Sequence, residues 1–101
     1  MTTRFLPLAD KELEADAKWY EQRLPGLGRE FILAVRETVK EITRDPTRFE
    51  TESPPQRHRT LHRARVERFP YDVIFEVRPA EILVIAVAHH ARKPGYYRRR
   101  K

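Results

Sequence analysis

Apolar residues recur first at helical and then at strand spacing along the chain, and this change of period divides it into two parts. A short strand is predicted over Arg4–Leu8, with Pro7 suited to its end rather than to a central position. Ala9, Leu13, Ala17, Tyr20 and Leu24 then fall on one helical face, and Asp10, Glu12 and Glu14 cluster near the positive end of that helix. Pro25-Gly26 stops it, glycine being the residue that most readily takes the left-handed conformation after a helix. A second stripe follows at once, formed by Leu27, Phe31, Ala34, Val35, Thr38 and Ile42, with charged side chains filling the other side until Asp45-Pro46. Two helices joined so closely predict an antiparallel hairpin. The stretch from Asp45 to Gln56 carries three prolines and no periodicity, so it reads as a loop that Phe49 anchors to the core.

Strand patterns fill the remainder. Arg57–Glu67 is polar and arginine-rich and predicts a strand with one solvated face. Tyr71, Val73, Phe75 and Val77 alternate with Asp72, Ile74, Glu76 and Arg78, which is the period of a second strand. The unbroken apolar run Ile82–Ala88 predicts a strand buried on both faces at the centre of the sheet. The expected fold is α+β in the order β-α-α-β-β-β: a helical hairpin on one face of a small, mostly antiparallel sheet. The 101 residues suit a single domain over 1–101 with a basic C-terminal tail at 92–101.

Charge sharpens this division. Residues 1–55 hold 9 Lys/Arg against 11 Asp/Glu, whereas residues 56–101 hold 12 against 4. The net charge of +6 is therefore a near-neutral helical half joined to a sheet and tail of +8. Such a field favours polyanions or acidic protein surfaces. The absence of cysteine excludes disulfides, thiolate catalysis and cysteine-based zinc sites. No apolar run approaches the roughly 18 residues of a membrane span, and the N-terminus lacks a signal-peptide layout. A cytoplasmic location without membrane contact is expected.

Three clusters carry candidate chemistry. Arg57, Arg59, Arg63 and Arg65 share one parity, so an unbroken strand aligns them as a phosphate-sized ladder, or as the charged edge that discourages sheet aggregation. Arg92 to Lys101 interleaves cations with Tyr96 and Tyr97, a composition that suits nucleic acid, although Arg98–Lys101 by itself reads as a frayed end. His89-His90 follows the buried strand, where one imidazole is placed for acid–base work or simply bonds a loop. No metal site is expected, because His58 and His62 on one strand sit about 13 Å apart. No cofactor motif is present either: Gly26 and Gly28 punctuate helices and match no nucleotide fingerprint. Glu12/Asp16 and Glu37/Glu41 read as solvated helix faces, and Trp19-Tyr20 as one core ring and one edge ring open to a partner.

Taken together, several of these stretches resemble the RelE/ParE superfamily of bacterial type II toxins, often described as plasmid stabilisation proteins. The resemblance lies in Ala9–Leu13 with Trp19-Tyr20-Glu21, Gly26–Phe31, Pro46–Phe49, Arg68–Phe75 and Val84–Tyr96. It implies a growth-inhibiting toxin held in a hetero-oligomer by a cognate acidic antitoxin that folds as it binds. Two targets are implied by its two branches. RelE-like members cut mRNA on the ribosome without a metal, by attack of a 2′-hydroxyl on the adjacent phosphate. For that branch the resemblance assigns Tyr96, Arg92 and, as a proton-transfer group, His90. Two positions depart from the nuclease pattern, which has arginine where Asp72 and His90 stand. ParE-like members bind DNA gyrase and trap its cleaved complex without catalysis. For them the contact surface, towards gyrase or antitoxin, is expected at Arg57, Arg59, Arg63, Arg65, Arg68, Tyr97, Arg98, Arg99 and Arg100. The broken nuclease set places the chain nearer the ParE-like branch, with a non-toxic binding module of the same fold as a third reading.

Overall fold

A computed structural model describes all 101 residues. Strand β1 (Thr2–Phe5) leads into helix α1 (Pro7–Arg23), which is followed by α2 (Leu27–Arg44) and a 3₁₀ turn at Pro46–Arg48. Strands β2 (His62–Arg65), β3 (Tyr71–Val77) and β4 (Glu81–His89) complete the chain. The sheet order is β1-β4-β3-β2, with β1 parallel to β4 and the other two pairings antiparallel. The long apolar strand is accordingly central, as its sequence predicts.

The first strand is shorter than expected and the helix starts earlier. Pro7 needs no backbone donor and has a preset φ, so it opens α1 rather than closing β1. Leu24, expected on the buried face, lies beyond the helix and is 56% exposed. Gly26 sits at φ 90°, the left-handed turn between the helices. Glu21 of α1 then accepts from the backbone N–H groups of Gly26 and Gly28 at 2.9 and 3.1 Å, supplying the cap that α2 lacks in its own sequence. A Cβ on Gly28 would lie 2.4 Å from the carbonyl oxygen of Ala17, so the two helices approach closely only because this residue is glycine.

Phe31, Val35, Thr38 and Ile42 turn the α2 stripe onto Val73, Phe75, Ile82, Val84 and Val87 of the sheet. Thr38 satisfies its hydroxyl by donating to the Ala34 carbonyl at 3.0 Å. Phe49 anchors the proline-rich loop, its ring edge-on to Phe75 at 5.9 Å. The pairing of β3 and β4 slips by one residue between Ile74 and Phe75, and this bulge leaves Ile85 without a partner.

The opposite face of the sheet is not open. Leu6, Leu61, Ile74, Leu83, Ile85, Ala86 and Ala88 form a second apolar cluster, and Tyr97 of the tail closes it. The end expected to fray, Arg98–Lys101, follows Tyr97, itself 3% exposed, and is held in turn: the Arg98 and Arg100 side chains are partly buried beside Glu52 and Glu12. This second layer explains why β4 is apolar at every position from Ile82 to Ala88.

The strand expected over Arg57–Glu67 is reduced to His62–Arg65. At its start, the Leu61 carbonyl accepts from the Glu52 N–H at 2.7 Å and the Arg63 N–H donates to the Glu50 carbonyl at 3.1 Å, while Arg57–Thr60 run as irregular chain. The four arginines consequently form no ladder.

Candidate functional site

Two cavities divide the basic residues between them. The first, of about 420 Å³, lies at the junction of β2, β3 and the start of the tail, and is lined by Arg63, Arg65, Asp72, His90, Arg92, Lys93 and Tyr96 among others. The second, of about 800 Å³, is lined by Arg57, Arg59, Glu76, Arg78, Arg98 and Arg99 with their neighbours. Arg57 and Arg59 thus face a different hollow from Arg63 and Arg65. Arg68 joins neither: it occupies the β2–β3 turn at φ 72° and pairs with Glu30 of α2 at 2.8 Å, on the helical side of the sheet.

Carboxylates that the sequence presents as a solvated helix face brace the first cavity from behind. Glu12, which itself lines the neighbouring groove beside α1, is the principal one. It projects from α1 to the end of β4, where the Val87 N–H donates to it at 3.0 Å. Arg100 forks onto both of its oxygens at 2.8 and 3.1 Å, Arg92 reaches it at 3.2 Å, and the Tyr96 hydroxyl donates to it. Its side chain is 11% exposed, so the expected solvated face is corrected here. Glu12 lies three residues after buried Ala9 and beside half-buried Leu13, and this position at the edge of the stripe is the one signal that marked it. Asp16 also turns inward: together with burial, the larger effect, it raises the pKa of the Tyr71 hydroxyl.

The three residues assigned to nuclease chemistry do meet in this cavity, yet each is already engaged. Tyr96 is half-buried; burial first, and then its bond to Glu12, push its hydroxyl well above the ordinary tyrosine range. Arg92 stacks on the same ring with its guanidinium carbon 3.7 Å from the centroid. His90 Nε2 lies 3.2 Å from Asp72 Oδ1, and the other oxygen of Asp72 faces Arg63 at 3.8 Å. Arg65 and Lys93 alone among the cationic lining have no ion-pair partner.

Glu52 and Glu76 serve the second cavity. Glu52 is buried and is shared by Arg63 at 3.3 Å and Arg98 at 3.8 Å. Glu76 takes both Nε and Nη2 of Arg59 at 3.2 Å, and Arg78 at 2.9 Å. Arg59 in turn donates to the backbone carbonyls of Arg98, at 3.3 Å, and of Arg100. Arg59 and Arg100 are therefore fasteners of the tail. Tyr97, expected to present a ring to a target, is core. Trp19 and Tyr20 divide as expected: Tyr20 joins Phe31, Phe69 and Tyr71, while Trp19 stays 50% exposed under Arg23.

Burial opposes ionisation of Glu76, but its hydrogen bonds from Arg59 and Arg78 outweigh it and hold the carboxyl below its ordinary value of 4.5. A depressed carboxylate pKa adds stability above the unfolded-state value, and that stability is lost as pH falls through the folded-state value. Urea denaturation between neutral pH and pH of about 3 is expected to show this acid loss, and Glu76→Gln to flatten it. An acid limb unchanged in Glu76→Gln would show that this cluster does not contribute.

Comparison with known proteins gives a concordant result. A family model described as the ParE toxin of type II toxin-antitoxin system, parDE, matches residues 3–94. A solved structure described as the chromosomal ParDE TA system from P. aeruginosa shares the fold, with a TM-score of 0.73 at 19% identity over 88% of this chain and 95% of that one. Curated proteins give no match.

Proposed function

The chain belongs to the ParE toxin family of type II toxin–antitoxin systems, and from that membership we propose that it arrests growth by binding DNA gyrase. As a type II toxin it has an antitoxin partner. No helix is long and apolar enough to cross a membrane.

One observation carries the choice of a binding mechanism over RNA cleavage. The groups that would move protons and stabilise a pentavalent phosphorane are tied to internal carboxylates: Tyr96 and Arg92 to Glu12, His90 and Arg63 to Asp72. A general acid or base must exchange its proton near working pH, and a hydroxyl whose pKa is raised by burial and by Glu12 does so poorly. Charge neutralisation at the phosphate is weakened in the same way, since Asp72 lies in the wall where cations are needed. A toxin acting by contact needs none of these steps. Arg65 and Lys93 are exposed, free of ion pairs and suited to such a surface.

Induced expression without the antitoxin is expected to stop growth, and the purified protein to inhibit supercoiling by gyrase and accumulate cleaved DNA. Primer extension on cellular mRNA is expected to show no codon-linked cuts. Cuts that disappear in His90→Ala or Tyr96→Phe would replace this reading with the nuclease one, and unaffected growth would leave only the non-toxic binding module.

A further inference from the structure

The second cavity has a composition unlike that of a protein-binding surface. Its wall holds Arg57, Arg59, Arg78, Arg98 and Arg99 against the single carboxylate of Glu76, and no apolar side chain lines it. Protein interfaces gather their affinity from buried aromatic or aliphatic anchors within a polar rim. Nucleic-acid interfaces instead are dominated by positive charge and polar contact. This molecule does carry exposed apolar surface, but elsewhere: Leu8 and Trp19 flank a separate groove beside α1.

The charge here is also positioned rather than diffuse. Glu76 is consumed by Arg59 and Arg78, and Arg98 is held from behind by Glu52 and the Ser53 carbonyl. Arg59 pins the backbone on both sides of Arg99 through the carbonyls of Arg98 and Arg100. Arg57 and Arg99 are exposed and have no carboxylate within ion-pair distance. Two free guanidinium forks are thus mounted on a braced wall, and the planar fork matches a phosphate's oxygens. None of the lining residues is shared with the cavity that holds His90 and Tyr96.

We propose that this cavity is a binding site for the phosphodiester backbone of nucleic acid, read without base specificity, with Arg57 and Arg99 as its principal contacts. The site stands apart from the gyrase reading, because it needs no protein target. It predicts that the toxin by itself holds DNA near its surface.

The test is fluorescence anisotropy of the full chain with a short labelled duplex of arbitrary sequence, titrated over a range of salt concentrations. The logarithm of the wild-type binding constant is expected to fall linearly with the logarithm of salt concentration, as counterion release requires. Arg57→Glu with Arg99→Glu is expected to weaken binding about tenfold or more and to lower the salt slope by about 2, one per phosphate contact. A paired control, Arg36→Glu with Arg44→Glu on the outer face of α2, makes the same change in net charge and should retain the slope. Thermal melts check that both variants are folded, and neither pair breaks an ion pair. A single-stranded RNA of equal length, bound with the same loss in the cavity variant, supports recognition of the backbone alone. Absence of wild-type binding overturns the proposal, as does an equal loss in the control. Tighter binding of polyglutamate than of DNA overturns it in favour of an acidic polypeptide.

Discussion

Replacement of Glu12 by alanine is expected to detach the C-terminal segment and to cost about 3 kcal/mol of stability. The carboxylate is the common acceptor of Arg100, Arg92, Tyr96 and the Val87 N–H, and it is almost wholly removed from water. Its loss leaves the Arg100 guanidinium, 14% exposed, with the Ile85 carbonyl as its remaining partner. The larger share of the cost is that orphaned cation rather than the attraction removed. In a chain of this length the change lowers Tm by about 12 °C or more. Trypsin should then cut the arginine-rich tail in the variant under conditions where the wild-type tail is protected. Adding Arg100→Met to Glu12→Ala should recover part of the loss, since it removes the unpaired charge. A melt within about 2 °C of wild type and unchanged proteolysis would show that Tyr97 alone secures the tail.

Phe31→Ala is expected to be more damaging still, at about 4 kcal/mol. Phe31 is fully buried, and its ring lies 4.7 to 5.2 Å from those of Tyr71, Tyr20 and Phe69. These rings join α1, α2, the β2–β3 turn and β3, so the cavity left behind is shared by four elements and collapses poorly. Since domains of this size are stable by about 5–15 kcal/mol, urea denaturation should show a much lower midpoint with a similar slope. Phe31→Leu should lose far less. A loss below about 1 kcal/mol in Phe31→Ala would contradict this packing. Under the proposed function, loss of growth arrest in Phe31→Ala would accordingly report folding rather than target contact, unlike changes at Arg65 or Lys93.

The candidate site was less legible than the fold. His90, Arg92 and Tyr96 were identified by resemblance, and the structure does bring them into one cavity. An arginine ladder follows from strand parity, and parity holds only while the strand continues; the β2–β3 ladder stops at His62 opposite Phe75, and Arg57–Thr60 before it are irregular. Asp72 was legible as a departure from the nuclease pattern, but its bond to His90 depends on β3 and β4 pairing with Tyr71 opposite His89. The partners of Glu12 and Glu52 were not legible, because they are distant in the chain: Glu12 is 88 residues from Arg100, and Glu52 meets Arg98 of the tail.

By itself the sequence determined the two helices, the central apolar strand, the charge division and the family, since periodicity, turn chemistry and motif order are local properties of the chain. Only the tertiary structure decided what the tail does. Its terminal cations look solvated in sequence, yet the apolar second face of the sheet must be covered. Tyr97 covers it, while Glu12 neutralises Arg92 and Arg100 and Glu52 faces Arg98. The basic charge available to a partner is therefore set by which carboxylates fold beneath it, a matter of long-range packing that no local pattern encodes.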